Sequence, residues 1–96
     1  DYAKAEPMLI RCLAIRQKAL GSEHPMIGTT KNSLAMIYFG QGKYDQAEKT
    51  MAEAVSIFQK SVGPTHPDLR RLQENLAEIR QYKQASATKK VPLSKH

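Results

Sequence analysis

Two histidines, each followed by a proline, are the residues in this sequence whose type most readily implies chemistry. His24 and His66 stand in matching Gly-x-x-His-Pro segments that are 42 residues apart. An imidazole nitrogen binds zinc at about 2 Å, but equivalent points on neighbouring packed helices lie about 8–10 Å apart. The spacing therefore predicts that each histidine has the same structural role in a turn between helices, and that the pair binds no metal.

The remaining candidates for catalysis are one cysteine and a few carboxylates. Cys12 is the only cysteine, which excludes an internal disulfide, and no histidine lies close to it in sequence. It takes the position that Ala54 holds 42 residues later, which predicts a small site in a hydrophobic core. Glu74 and Glu78 share a helix face at i,i+4 spacing, without the apolar surroundings that tune a carboxyl for acid–base catalysis. The common nucleotide-binding and zinc motifs are also missing, so the sequence predicts no catalytic residue, no cofactor, no metal site and no enzyme.

A 42-residue internal repeat organises the chain. Twelve positions are identical, without a gap, when the sequence is compared with itself after a shift of 42 residues. The matches include Tyr2 with Tyr44 and Gly21 with Gly63. A period of about 20–50 residues is typical of a solenoid, in which each repeat packs only against its neighbours.

Each repeat contains two stretches with the periodicity of an α-helix. From Tyr44 to Val62, apolar or small residues recur at steps of three, four or one residue, which places them on one helix face. The glycines that follow the longer stretches favour left-handed C-caps, and the prolines favour the starts of the next helices. Pro7 predicts an irregular start of the first helix. The patterns predict an all-α chain with four helices, at about 2–20, 26–39, 44–62 and 67–83.

The spacing of these residues resembles that of tetratricopeptide repeats. The matching residues are Leu34-Ala35-x-x-Tyr38 in one helix, Gly42-x-Tyr44 in the turn, and Ala47, Met51 and Ala54-Val55 in the next helix. The usual repeat has about 34 residues, whereas the 42-residue period and the Gly-x-x-His-Pro connection are similar to the kinesin light chain and nephrocystin type. The resemblance covers about residues 2–80 and implies antiparallel helix pairs that stack as an α-solenoid.

The resemblance also implies where a partner binds. In this family the first helix of each repeat lines the concave surface of the superhelix, where an extended peptide is bound. Asparagine side chains both donate and accept hydrogen bonds, arginine binds carboxylates in a bidentate manner, and methionine adapts to varied apolar ligands. Carried over by position, the peptide-binding groove consists of Thr29, Asn32, Ser33, Met36, Phe39, Arg71, Glu74, Asn75 and Glu78. The alternative, that a neighbouring segment fills this inner face, stays open.

The positive charge of the chain is concentrated near the end of the sequence. The chain has 15 Lys and Arg against 9 Asp and Glu, a net charge of +6. Residues 1–82 carry a net charge of +2, whereas residues 83–96 carry four lysines and no acid. Because apolar periodicity ends near residue 83, we predict a repeat segment at 1–83 and a disordered basic tail at 84–96. The nearly balanced repeat segment argues against nucleic acid as a partner, and no apolar run is long enough to span a membrane.

These observations together predict a cytoplasmic protein-interaction module, or scaffold, that binds a protein or peptide partner in the groove. The sequence contains one complete repeat flanked by two half repeats, while about three repeats are needed for stability. We therefore expect either further repeats upstream, which makes 1–83 the C-terminal part of a longer array, or self-association. The alternative function is a structural segment that oligomerises through the exposed face of helix 1.

Overall fold

Four helices account for the regular structure of the described residues. The computed structural model describes the backbone of residues 1–93 and the side chains of residues 1–87. The helices are α1 (Tyr2–Leu20), α2 (Pro25–Gly40), α3 (Tyr44–Ser61) and α4 (Pro67–Leu93). No strand occurs in residues 1–93, so the predicted all-α class is confirmed.

Capping side chains or prolines mark the starts of α1, α2 and α4, whereas the start of α3 has no side-chain cap. The side chain of Asp1 accepts a 3.0 Å hydrogen bond from the backbone N–H of Ala3, and α1 continues without a break through Pro7. The predicted irregular start of this helix is therefore wrong. Proline occupies the first position of α2 and of α4, where its fixed φ suits the helix and its missing N–H breaks no bond.

The glycines that follow the two longer helices do not form the predicted left-handed caps. Gly21 has a φ of 88°, but its ψ of 153° lies outside the left-handed helical region. Gly63 has no positive φ, and the capping residue of α3 is Val62 in an extended conformation. Within the described residues, a positive φ that favours glycine occurs at Gly21 and also at Gly42, in the turn between α2 and α3, where φ is 79°.

The hydrophobic core lies among the last three helices. Its most deeply buried side chains include Ile27 on α2, Met51 on α3, and Leu72 and Ile79 on α4. Burial of such a side chain stabilises the fold by about 1.5–3 kcal/mol. Helix α1 contributes no fully buried residue, although Leu9 and Leu13 pack against the edge of the core.

One close approach fixes the distance between α2 and α3. A Cβ atom added at Gly28 would lie 2.7 Å from the ring of Phe58, closer than side chains tolerate. Gly28 therefore lets the backbone of α2 rest on the aromatic ring of α3. Gly40 serves in the same way at the other end of α2, where the ring of Tyr2 lies against it.

The last helix is longer than predicted. Helix α4 continues to Leu93 instead of ending near residue 83, so the segment predicted as disordered is helical as far as that residue. Glutamine, alanine and lysine favour helix, and extension of an existing helix gains one hydrogen bond for each residue ordered. The predicted disorder of residues 94–96, and any role of the side chains of the lysine pair at 89 and 90, lie outside the described residues.

Candidate functional site

Helices α2 and α4, each the first helix of its repeat, meet along one face. The side-chain amide nitrogen of Asn75 donates a 3.1 Å hydrogen bond to the side-chain oxygen of Asn32. Two helical turns further on, the rings of Phe39 and Tyr82 make an edge-on contact with 5.1 Å between their centroids. Both contacts join residues 43 apart in sequence and follow the same order along the chain. Helices α2 and α4 therefore run parallel, and we call the surface along this seam the α2–α4 face.

The asparagine pair at the centre of this face keeps unused hydrogen-bonding capacity. Both residues are half-buried, and neither has a further side-chain partner in the described part of the chain. The amide nitrogen of Asn32 and the carbonyl oxygen of Asn75 are thus free for a ligand. One donor and one acceptor, side by side, match the peptide groups of an extended backbone.

An aromatic cluster lies at one end of the α2–α4 face. Phe39 contacts Tyr82 and also Tyr44, whose ring centroid is 5.7 Å away. Met36 and Phe39 are partly buried against the core and keep part of their surface exposed. The sequence analysis named Met36 and Phe39 as groove residues and did not name Tyr82. The 42-residue sequence repeat pairs Phe39 with Gln81, so no signal in the sequence pointed to Tyr82, and the structural contact alone locates it.

The exposed residues on α2 contribute less to the geometry of this face. Thr29 donates its hydroxyl to the backbone oxygen of Pro25 at 3.3 Å. Ser33 is exposed and has no side-chain partner in the described residues. Thr29 is therefore held only by a bond within its own helix, and no side-chain contact is described for Ser33.

The charged residues of the predicted groove on α4 differ in whether they have an ion-pair partner. Arg71 lies 3.3 Å from Asp68, one turn earlier on the same helix, so part of its charge is already satisfied. Glu74 and Glu78 are exposed and have no side-chain partner in the described residues. The predicted grip of Arg71 on an acidic ligand would therefore compete with its own neighbouring carboxylate.

Comparison with known proteins agrees with this arrangement of repeats. A family model described as tetratricopeptide repeat matches residues 1–49 and 26–88. The chain belongs to the tetratricopeptide repeat family. Tetratricopeptide repeats generally mediate protein–protein interactions. A search of curated proteins found no match.

A charged cluster fastens the last helix of the tetratricopeptide repeat segment to the helix before it. Lys83 lies 2.8 Å from Glu48 and 3.1 Å from Asp45, while Arg80 lies 2.9 Å from Glu48. The hydrogen bonds from Lys83 and Arg80 hold the pKa of the Glu48 carboxyl below its ordinary value. The same contacts raise the pKa of the Lys83 ammonium group, with the Glu48 hydrogen bond as the largest cause.

The positions equivalent to Lys83 and Glu48 are also in contact one repeat earlier, but there the donor is an uncharged amide. Gln41 stands 42 residues before Lys83, and its side-chain nitrogen donates a 2.9 Å hydrogen bond to Glu6. Lys43 lies 3.6 Å from the same carboxylate. Burial, with the nearby charge of Glu6, raises the pKa of the Tyr38 hydroxyl. The recurrence of the contact shows that the tetratricopeptide repeat geometry is kept where the residue types change.

The histidines of the repeat connections cap helices. His24 Nδ1 accepts a 3.1 Å hydrogen bond from the backbone N–H of Met26, and His66 Nδ1 accepts one of the same length from Asp68. The predicted structural role of both residues is thus confirmed. Within the described residues, no three His, Cys, Asp or Glu side chains group in a way that would hold a metal ion.

Cys12 does not occupy the core site that the sequence predicted. Its equivalent Ala54 is fully buried, whereas Cys12 is only half-buried on the outer side of α1. The reason is positional: α2 covers the corresponding face of α3, while no described helix covers this face of α1.

None of the described helices combines the length and the apolar character needed to cross a membrane.

Proposed function

We propose that this protein is a protein-interaction module that binds an extended segment of a partner along the α2–α4 face. The observation that carries the proposal is the asparagine pair. Asn32 and Asn75 hold one another in place at 3.1 Å and keep a donor and an acceptor available. A ligand that pairs through its backbone meets these groups whatever its side chains are.

The aromatic cluster supports the same proposal by adding an apolar contact. Phe39 is held by Tyr44 on one side and Tyr82 on the other, so its ring is fixed before any ligand arrives. A preformed contact costs little conformational entropy on binding. Next to it, the flexible thioether of Met36 adapts to apolar side chains of different shape. A bound segment would therefore place a backbone stretch over the asparagines and an apolar side chain near Phe39.

The finer assignment within the family rests on the connection between the helices. The 42-residue period and the two Gly-x-x-His-Pro turns, in which His24 and His66 cap the following helices, support the kinesin light chain and nephrocystin type. A role as a scaffold or cargo adaptor follows from that type. A cytoplasmic location, expected from a single unpaired cysteine, remains a prediction.

A peptide array tests the proposed groove. The labelled protein would be incubated with an array of overlapping 12-residue peptides, and hits would be measured in solution by fluorescence anisotropy. Substitution of both Asn32 and Asn75 by alanine should weaken every hit by at least tenfold, because the paired donor and acceptor are lost together. The matched control is Gln59→Ala, a polar residue exposed on α3 away from this face. Equal binding by the asparagine variant and the control would refute the groove.

A second candidate function is structural assembly through α1. The observation that favours it is the exposure of large apolar side chains on this helix: Met8 is 71% exposed and Ile15 is 62% exposed. Leu9 and Leu13 turn inward towards the core, so the surface available for assembly is the one that carries Met8 and Ile15. Polar substitution of Ile15 should abolish any self-association that sedimentation equilibrium detects.

A further inference from the structure

Two acidic side chains of this protein have no partner, and both lie on α4 beside the proposed groove. The chain has nine acidic residues, and all of them lie among the described side chains. Seven of the nine have a hydrogen-bond or ion-pair partner. Glu74 and Glu78 are exposed and have no side-chain partner within the described residues. The acidic side chains that are free for a ligand are therefore confined to α4.

Glu78 lies between the two contacts that define the α2–α4 face. It follows Asn75 by three residues and precedes Tyr82 by four, and residues at these spacings share one side of a helix. Asn75 belongs to the asparagine pair, and Tyr82 belongs to the aromatic cluster. A segment that reaches both the pair and the cluster therefore passes the carboxylate of Glu78.

The internal repeat indicates which of the two free carboxylates stays available when another repeat follows. Glu78 is equivalent to Met36, which keeps part of its surface exposed although α4 lies beside α2. Glu74 is equivalent to Asn32, the residue that α4 contacts through Asn75. A following repeat would therefore contact Glu74 and leave Glu78 open to a ligand.

The basic residues that follow Glu78 on α4 do not neutralise it. Arg80 and Lys83 are held by Glu48 of α3, at 2.9 Å and 2.8 Å. The arginine that the sequence analysis placed in the groove already has a carboxylate partner on its own helix. The free charge on the described part of the α2–α4 face is therefore negative, and it favours a basic ligand.

We propose that the segment bound on the α2–α4 face carries a lysine or arginine opposite Glu78, two residues from the apolar side chain that contacts Phe39. This inference rests on the groove proposed above and adds the charge and the spacing of its ligand. From Glu78 to Tyr82 the helix advances by about 6 Å. Two residues of an extended segment advance by about 6–7 Å, and their side chains point to the same side. One segment thus meets the carboxylate and the rings together.

Selection from a phage-displayed library of random 12-residue peptides tests the charge and the spacing together. In peptides selected on the full chain, Lys or Arg should stand two residues before or after a large apolar residue about threefold more often than in the unselected library. Glu78→Lys should replace this preference by one for Asp or Glu at the same spacing, because like charges disfavour binding. The matched control is Glu23→Lys, which reverses an exposed charge in the turn before α2 and should keep the preference for a basic residue.

A synthetic copy of a selected peptide separates this inference from the groove on which it rests. Measured by fluorescence anisotropy, Glu78→Gln should weaken its binding about two- to fivefold, the range of an exposed ion pair. The loss should shrink at high salt, which screens such a pair. Substitution of both Asn32 and Asn75 by alanine should weaken the same peptide at least tenfold, as expected for the array hits.

The possible failures of the two proposals differ. Selected peptides that depend on the asparagines but show no basic preference, or one that Glu78→Lys leaves unchanged, would overturn this inference and leave the groove intact. A library that yields no peptide, or only peptides that bind equally well without the asparagines, would overturn the groove and this inference with it.

Discussion

The side-chain amide of Asn75 donates to the side-chain oxygen of Asn32, and this 3.1 Å hydrogen bond ties together two helices that are separated by all of α3 in sequence. A second contact between the same two helices is the edge-on approach of the rings of Phe39 and Tyr82. The bond has a direction, because Asn75 supplies the hydrogen and Asn32 the acceptor. That direction has consequences for substitution by aspartate, which accepts hydrogen bonds but does not donate them when ionised.

We predict that aspartate has opposite effects at these two positions. Asn32→Asp keeps the acceptor and makes it charged, so the stability of the protein should stay the same or rise slightly. Asn75→Asp removes the donor and sets two acceptors against one another, which should lower stability by about 0.5–1.5 kcal/mol. Urea unfolding followed by circular dichroism measures both. Equal losses in the two variants would contradict the assigned direction.

The charged cluster on α4 predicts a pH dependence of stability. The pKa of Glu48 lies below its ordinary value of 4.5 in the folded state, so its stabilising contribution is present above that value and is lost as the pH falls through the folded pKa. Glu48→Gln should therefore cost about 1 kcal/mol or less at pH 7. The difference from the wild type should shrink in acid, as measured by urea unfolding between pH 7 and pH 3 (about the range over which carboxylates titrate).

The control for this prediction is Glu74→Gln, which removes an exposed carboxylate that has no side-chain partner in the described part of the chain. Its difference from the wild type should vary little with pH. An acid-dependent difference of the same size in both variants would show that the Glu48 contacts contribute nothing specific.

The contact between Gln41 and Glu6, which is equivalent to that of Lys83 with Glu48, suggests a stabilising substitution. Gln41 donates to Glu6 at 2.9 Å, but its own side-chain oxygen is buried without a partner among the described residues. A buried unpaired acceptor is unfavourable. Gln41→Lys removes that oxygen and copies the contact of Lys83 with Glu48, so we expect unfolding to require more urea. The gain should disappear in a Glu6→Gln background, and a gain that persists there would rule out the ion pair as its cause.

Much of the fold was predictable from local signals that agree with one another. The 42-residue repeat, the helical periodicity and the prolines at the helix starts all indicate the same four elements. The structural role of the two histidines was also predictable, because the same turn sequence occurs twice and each copy is expected to use its histidine in the same way. Each of these patterns involves residues that are close in sequence or lie in one repeat. Their spacing in the sequence therefore determines which of them are neighbours in space.

Features that depend on contacts between elements were harder to predict. The extension of α4 to Leu93 was missed because the apolar periodicity stops near residue 83. Beyond that residue the helix is favoured by helix propensity instead of by an apolar face. It is also favoured by contacts with the turn between α2 and α3, where Ser86 and Ala87 share a crevice with Gly42. The half-exposed position of Cys12 was missed because periodicity alone does not state which helix covers a given face.

The contact between Gly28 and the ring of Phe58 predicts a steric limit. Gly28→Ala places a methyl group about 2.7 Å from the ring, so α2 and α3 must separate or the ring must shift. Such overpacking costs about 1–3 kcal/mol. The matched control is Gly63→Ala, since a methyl group there meets no described atom within 4 Å and the backbone φ is not positive. Urea unfolding that shows the same small change for both variants would mean that the helix contact is loose.

The helix-capping role of His24 predicts which substitutions the turn accepts. His24 Nδ1 accepts a 3.1 Å hydrogen bond from the N–H of Met26, one of the unpaired donors at the start of α2. Loss of such a cap costs about 0.5–2 kcal/mol, so His24→Ala should lower the urea midpoint. His24→Asn should restore it, because the asparagine side-chain oxygen caps the same N–H. If His24→Asn is as unstable as His24→Ala, the ring contributes through packing instead of through the cap.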